Sequence, residues 1–272
     1  MPSSTLSPLL SLSSVAAIAH RGGSRLRPEN TMSAFAHAAS LGVDAIECDV
    51  HLSRDDELMV IHDPTLERTT DGRGPVSACT ARELAELDAA YHFTDADGGS
   101  FRGAGVTIPT LPAVLRQFPG MPFIVEIKGA DIRAAGRVWD VIREAGAESR
   151  VIVGGFSLGV LQAIRERAGH LVTSASSREV QAALRRAWIW MGPGRHRYQL
   201  FQVPVQLKGR PVLTQGFVRA ARRAGVPVQA WIVDDPNQMR RLIGWGVTGL
   251  ISDRPDLAVA VARTANRTTA DR

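Results

Sequence analysis

The feature that most constrains this 272-residue chain is an alternation of short apolar strand patterns with amphipathic helical patterns, sustained almost to its end. "VAAIAH" precedes "TMSAFAHAASLG", and "AIECDVHL" follows. The rhythm runs on through "TLPAVLRQF", "FIVEIK", "IRAAGRVWDVIREAG", "VIVGGF" and "LGVLQAIRERA". "LVTSA" then leads to "SREVQAALRRAWI", "LFQVPV" to "GFVRAARRAG", "VQAWIV" to "NQMRRLIGWG", and "GLISD" closes the series. Each helix carries the chain back across the sheet, so successive strands lie parallel. An open doubly wound sheet shows the same alternation, but eight strand patterns favour an α/β fold of the closed TIM (β/α)8 barrel type. The expected organisation is one catalytic barrel over 15–262, with flexible tails at 1–14 and 263–272.

One segment breaks the rhythm. Roughly sixty residues separate the second strand from its helix, where about 2–6 is usual. "DVHLSRDDELMVIHD" opens it as a hairpin, two alternating runs around a polar turn at Asp55-Asp56. The rest, 64–107, is rich in Gly, Thr and Asp and holds one helical piece, "TARELAELD", with a capping box from Thr80 to Glu83. It is expected to be a small cap inserted after strand two, at the rim where barrels place their chemistry.

A barrel gathers side chains from the carboxyl ends of its strands into one site, so the polar residues there are read together. His20-Arg21 ends strand one, Glu47 and Asp49 lie on strand two, Glu126 and Lys128 on strand three, and Trp231 on a later strand. Period two puts Glu47 and Asp49 on one face of "AIECDV", opposite Ile46, Cys48 and Val50. Two carboxylates on one dry face repel, and a bound cation removes that cost. With Glu126 from the neighbouring strand they make an open site of hard oxygen ligands, suited to Mg²⁺ or Ca²⁺, with Mn²⁺ a further candidate. The plain alternative is that Glu126 pairs with Lys128 and the other carboxylates bond loop backbone. Taken as a set, the residues favour the metal.

A tight turn at Asp55-Asp56 would place His62 opposite Asp49. That brings a second histidine to the rim where His20 emerges. Two histidines around a cation and an arginine suit acid–base catalysis at a phosphodiester, one taking a proton from the attacking hydroxyl and one protonating the leaving oxygen. Arg21, with two donors, and Lys128, as a point charge, would balance the non-bridging oxygens. Gly22 and Gly23 permit a tight exit from the strand, and Asn30 or Thr31 caps the next helix. "PEN" is either purely structural or lets Glu29 steer a histidine or touch the metal. Trp231 is either core or an apolar wall of the pocket.

The 44% hydrophobic and 22% charged content is that of a soluble globular chain. Its net charge of +5 comes almost wholly from arginine, since Lys128 and Lys208 are the only lysines. The basic residues are scattered without aromatic interleaving, which excludes a nucleic-acid stripe and agrees with an anionic small substrate. Cys48 and Cys79 form neither a disulfide framework nor a CxxC pattern, in keeping with a reducing cytoplasm. No apolar run is long enough for a transmembrane segment. The apolar N-terminal stretch has no positive charge before Arg21, so it reads as a Ser-rich tail and not a leader. Nothing in the pattern sets the oligomeric state.

The blocks "AHRGGSRLRPENTMSAF", "GVDAIECDVHLSRDDELMVIHDPTLERTTDGRGPV", "TIPTL", "EIK", "VGGFS", "VQAWIVDD" and "GVTGLISDRPD" together resemble the glycerophosphodiester phosphodiesterase family, in family order from about 17 to 256. The resemblance implies metal-dependent cleavage of glycerophosphodiesters to glycerol 3-phosphate and an alcohol. By motif match, His20 and His62 take the acid–base roles, Glu47, Asp49 and Glu126 hold the cation, and Arg21 and Lys128 hold the phosphate. In the family's mechanism the substrate's own glycerol hydroxyl attacks first, and water then opens the cyclic phosphate. The chain departs from the family's W-T-V-N at Ile232 and Asp234, and from Asp-Gly at the hairpin turn. Two rival readings keep the barrel: a phospholipase acting on lipid or lysolipid phosphodiesters, and a non-catalytic barrel that binds anions. Interfacial binding would need exposed apolar residues at the rim, and a binding-only barrel would be expected to lack a histidine or a carboxylate.

Overall fold

Short Val- and Ile-rich runs form the strands, and longer amphipathic runs capped by Thr, Ser or Asp form the helices between them. The computed structural model describes residues 4–95, 98–188, 191–194 and 196–270. A one-turn helix α1 (Ser7–Leu10) precedes β1 (Ala16–Ala19), α2 (Met32–Leu41) and β2 (Ala45–Leu52). β3 (Leu58–Val60) folds back on β2, and α3 (Ala81–Ala85) and α4 (Leu111–Gln117) follow. Next come β4 (Phe123–Ile127), α5 (Ile132–Glu144), β5 (Val151–Gly155), α6 (Leu158–Arg167) and β6 (Val172–Thr173). α7 (Ser177–Trp188) leads to β7 (Phe201–Pro204) and a small ribbon of β8 (Gln206–Leu207) and β9 (Arg210–Pro211). α8 (Gln215–Arg223), β10 (Val228–Trp231), α9 (Pro236–Trp245), β11 (Gly249–Ser252) and α10 (Pro255–Ala270) complete the chain.

Eight strands run side by side in the order β6-β5-β4-β2-β1-β11-β10-β7, every pair parallel. A parallel bridge between Ser174 and Leu200 joins the two ends, where the Ala175 amide donates to the Leu200 carbonyl at 3.0 Å. The sheet is therefore a closed (β/α)8 barrel, with all the strand ends that carry polar residues at one rim.

Two apolar layers hold it. Val50, Val125, Val153 and Phe201 pack outward beneath the helices, with Phe35 edge-on to Phe123 at 5.8 Å. Ile18, Ile124, Ile152, Leu200 and Ile251 fill the interior. Each such burial stabilises the fold by about 1.5–3 kcal/mol relative to exposure.

Both tails depart from expectation. Leu6 and Leu9 belong to the interior layer and are almost wholly buried, so α1 stoppers the amino-terminal end of the barrel. The Gln229 side-chain amide donates to the Leu9 carbonyl at 3.1 Å and fixes it there. At the other end α10 continues to Ala270, and the Asn266 amide brackets Val15, accepting from its N–H at 2.8 Å and donating to its carbonyl at 3.0 Å. Apolar residues among serines read as low complexity only until a seat for them is known. Residues 1–3 and 271–272 lie outside the described residues.

The hairpin is also shifted by one residue. Val50 pairs with Val60 and Leu52 with Leu58, and the Ile61 amide donates to the Asp49 carbonyl. Asp49 thus faces Ile61, not His62, because the turn closes from the Ser53 amide to the Glu57 carbonyl and centres on Asp55. Met59 of β3 joins Ile61, Leu66, Val76, Leu84 and Ile108 in a separate apolar cluster, and the capping box of Thr80 and Glu83 starts α3 in the segment beyond β3.

Candidate active site at the barrel rim

β2 and β4 build the acidic floor. Their register sets Asp49 beside Glu126 and Glu47 beside Ile124, while Cys48 points into the outer layer. Burial pushes the Cys48 thiol well up, which leaves it inert. One oxygen from each of Glu47, Asp49 and Glu126 falls within 4.8 Å of the others. Burial, and next the Asp49 charge, pushes Glu47 up to about 8. Glu126 also stands above the usual carboxylate range, through burial. Asp49 is buried as well, but the Lys128 and Arg21 charges outweigh burial and hold it low.

The Lys128 ammonium contacts Glu126 and stands 2.9 Å from Asp49 Oδ1, and Arg21 Nε is 3.2 Å from Asp49 Oδ2. Neither Arg21 Nε nor Asp49 Oδ1 has a well-directed hydrogen bond despite full burial. Three hard oxygen donors gathered from two adjacent strands, two of them held toward their neutral forms, fit a divalent cation.

β1 ends at Ala19, and His20 opens a single 3₁₀ turn to Gly22 rather than continuing the strand. Arg21 takes a left-handed φ of 50°, which aims its amide at Glu47 Oε2, 2.9 Å away. Gly22 has φ of 83°, and a Cβ there would come within 2.7 Å of the Ala34 Cβ, so the turn admits only glycine. His20 Nδ1 lies 2.6 Å from Asp253 Oδ1, and its Nε2 faces Glu47 at 4.0 Å. Burial pulls the imidazole down, but the Asp253 hydrogen bond and the Glu47 charge prevail and raise its pKa.

His62 reaches the same cavity from the end of β3. Its Nδ1 lies 2.5 Å from Asp63 Oδ1. Burial is the largest influence and leaves its pKa below the ordinary imidazole value. Arg68, from the cap segment, binds both Asp63 oxygens and holds that carboxyl at about 2. The same guanidinium grips both oxygens of Glu29 at 2.8 Å, and Glu29 accepts from Arg21 Nη1 at 2.9 Å. "PEN" is therefore more than a turn: Glu29 touches neither histidine but ties Arg21 to His62 through Arg68 and Asp63. Asn30, at φ of 58°, donates to Asp49 Oδ2 at 2.8 Å and accepts from the Asp49 amide, while Thr31 caps α2.

His20, Arg21, Glu47, His62, Glu126, Lys128 and Trp231 line one cavity of about 150 Å³, with Phe156, Gln202 and Ile232. Asp49 lies just beneath and is 1% exposed. Every residue singled out from the sequence is thus brought together. Trp231 forms an apolar wall, edge-on to Phe156 at 6.1 Å. Sequence reasoning missed Asp253, Asp63 and Arg68, and gave Asn30 only as a candidate helix cap, whereas it bonds Asp49 and Thr31 is the cap. Asp253 directly follows the last barrel strand in "LISD", so the rule that selected the other strand-end residues would have found it.

A (β/α)8 barrel with carboxylate-backed histidines, an acidic triad and two cations at its carboxyl rim defines an enzyme for anionic substrates. The model of the glycerophosphoryl diester phosphodiesterase family matches residues 20–257. A glycerophosphodiester phosphodiesterase of Caldanaerobacter subterraneus subsp. tengcongensis is 36% identical over 90% of this chain and 97% of its own. A probable glycerophosphodiester phosphodiesterase 2 of Mycobacterium tuberculosis is 34% identical over 91% of each. The crystal structure of the glycerophosphodiester phosphodiesterase from Agrobacterium tumefaciens superposes with a TM-score of 0.73 at 29% identity, covering 90% of this chain and 99% of that one. The chain belongs to the glycerophosphodiester phosphodiesterase family, and it is an enzyme of the phosphoric diester hydrolase class.

Proposed function

We propose that the enzyme hydrolyses glycerophosphodiesters to glycerol 3-phosphate and an alcohol, with His20 and His62 as the acid–base pair and a divalent cation on Glu47, Asp49 and Glu126. The observation that carries this is the placement of two histidines, each backed by a carboxylate, in one cavity with the acidic triad. A carboxylate on Nδ1 fixes the tautomer and leaves Nε2 to exchange protons with substrate.

One histidine takes the proton of the glycerol 2-hydroxyl as its oxygen bonds to phosphorus. The other gives a proton to the departing alcohol oxygen as the P–O bond breaks. Water then opens the cyclic phosphate with the roles reversed, so one water is consumed overall. Arg21 and Lys128 offset charge on the non-bridging oxygens. Glu47, Asp49 and Glu126 would hold the cation, which when bound would supply Lewis-acid polarisation of the phosphoryl group and offset the carboxylate charge. Mg²⁺ and Ca²⁺ suit the all-oxygen donor set best, with Mn²⁺ next. Trp231 walls the apolar side, and the cap over 64–107 contributes Arg68, which orients His62 through Asp63.

The test is release of glycerol 3-phosphate from glycerophosphocholine and glycerophosphoethanolamine, with EDTA and then with each cation restored. Metal-restored release is the expected result. Release that is indifferent to EDTA removes the cation, and no release with any cation overturns the reaction.

A further inference from the structure

Charge in this chain is segregated along its length. Between Glu179 and Asp234 it carries eight arginines and one lysine and not one aspartate or glutamate, so the remainder is net acidic although the whole is +5. Basic residues that look scattered in the sequence come together in the fold, because α7, the β8–β9 ribbon and α8 all belong to this stretch and α7 packs beside α8. Arg185, Arg210, Arg219, Arg222 and Arg223 are exposed there. The acids that bound the stretch are already taken, Glu179 by Arg165 and Asp234 by Arg25. What the cations of this flank do bond is backbone: Arg186 Nε donates to the Gly192 carbonyl at 2.7 Å and Arg222 Nη1 to the Leu12 carbonyl at 2.8 Å. Between α7 and α8 runs an apolar trough of about 910 Å³, lined by Leu184, Ala187, Trp188, Val212 and Phe217, with Arg219 and Arg223 on its α8 side. These two arginines lie four apart on one helix face, where like charges repel. Trp188, at the end of α7, is 89% exposed, and Met191 beyond it is 45% exposed. An indole left in water and arginines left without acids both cost the free chain stability, so folding alone does not account for either.

An exposed indole and thioether beside guanidinium groups, with no acid among them, form the pattern of a surface that meets anionic headgroups and the acyl boundary beneath them. We propose that the α7–α8 flank docks the enzyme on an anionic phospholipid bilayer, with Trp188 and Met191 entering the headgroup layer and Arg219 and Arg223 bound to lipid phosphates. The bilayer is the partner here, not the substrate. The trough favours it over other polyanions. Tracking a nucleic-acid strand takes aromatic faces in line with the cations to stack the bases, whereas Arg219 and Arg223 border aliphatic side chains. A purely acidic peptide would leave Trp188 and Met191 in water. Docking agrees with the proposed reaction without resting on it. A glycerophosphodiester is what a phospholipid becomes when both acyl esters are hydrolysed, so its supply arises at a bilayer. Leu184 and Val212 also line the groove that joins the catalytic cavity at Phe156 and Trp231, so the docked flank adjoins the active site.

The experiment is flotation of the whole chain with vesicles of phosphatidylcholine alone, or mixed equally with phosphatidylglycerol, at low salt and at ~0.5 M NaCl. Expected is binding to the mixed vesicles only, lost at the higher salt as screening removes the electrostatic attraction. Arg219→Gln combined with Arg223→Gln should weaken partition on the order of 25-fold, about fivefold for each charge. Trp188→Ser should weaken it at least ~5-fold with the charge unchanged. All three positions are exposed and lie outside the catalytic cavity, so circular dichroism and turnover of glycerophosphocholine in solution should match the wild type. Binding to neither vesicle, equal binding to both, or binding that survives in both variants overturns the proposal. Arginine-dependent binding to polyuridylate or polyglutamate with none to vesicles overturns it too, and gives the flank to a nucleic acid or an acidic protein. Flotation is read without substrate, so failure of the proposed reaction leaves this test intact, and failure to dock leaves the reaction standing.

Discussion

Asp253 Oδ1 stands 2.6 Å from His20 Nδ1, joining the last strand end of the barrel to the first. β1 and β11 are neighbours in the ring although Asp253 lies 233 residues after His20. Asp234 steadies the pair from β10's following loop, accepting from the Asp253 amide at 2.9 Å and from the Ser252 hydroxyl at 2.8 Å.

Asp253→Asn should lower kcat by about 10²- to 10⁴-fold with little change in KM, because it disturbs the histidine's tautomer without removing a substrate contact. The Asp253 hydrogen bond raises the His20 pKa, so its loss must move the His20 limb of the pH–rate profile to lower pH. A limb that stays in place would show that Asp253 is merely structural.

His20→Ala and His62→Ala should each cost on the order of 10²- to 10⁴-fold in turnover while far-UV circular dichroism stays unchanged. Since both act in the same two proton transfers, the double variant should be scarcely worse than either single one. Additive losses would mean that the histidines act independently.

Arg68→Ala should reduce kcat through His62 although Arg68 touches no reacting atom. Asp63 and Glu29 both lose a bidentate partner, and Asp63 then rises from about 2 toward the ordinary carboxylate value. Its titration by NMR checks this directly, since an unmoved Asp63 would mean that His62 is what holds the carboxyl down.

Glu47→Gln should weaken cation binding, and excess Mg²⁺ or Ca²⁺ should restore part of the activity. The same ions should raise the thermal midpoint of the wild-type enzyme, because a ligand that binds only the folded chain stabilises it. Differential scanning fluorimetry with and without EDTA reads this without substrate.

Away from the site, Arg165→Ala should destabilise the fold by about 3 kcal/mol, the loss typical of breaking a buried pair. Arg165 is 3% exposed, and its guanidinium serves Thr173, the Ser174 carbonyl and both Glu179 oxygens. Burial raises the Glu179 pKa, but Arg165 and Ser176 outweigh it and set the folded value below the unfolded one. Glu179 therefore stabilises the fold above the ordinary carboxylate range and loses that contribution as pH falls through its depressed value. Urea melts at neutral pH and near pH ~4 should differ less in Arg165→Ala than in the wild type.

The barrel was legible because its signal is repeated: eight alternations leave few other ways to bury eight apolar strands. Glu47, Asp49, Glu126 and Lys128 were legible because period two fixes strand faces without knowledge of anything distant. Asn30 and Arg68 were not, since their roles depend on loops that bring them to Asp49 and Asp63 and carry no periodicity. His62 was placed one residue out of register because hydrogen bonding across Ser53 and Glu57, not the charge pattern, sets the turn. The tails were misread for a related reason: Leu6 and Leu9 gain their meaning from Gln229 and Ile251, which no local window contains.

The stopper formed by α1 also ties local order to distant parts of the chain. The Leu9 carbonyl is bonded by Gln229, 220 residues later in the sequence. β1 likewise depends on β11, and Val15 on Asn266. The seat of Leu6 and Leu9 is thus built from residues more than 200 positions away, and a loop of that length must close before the seat exists. A variant in which β10 cannot join the barrel should therefore leave Leu6 and Leu9 uncovered, although neither residue is near the substitution in sequence.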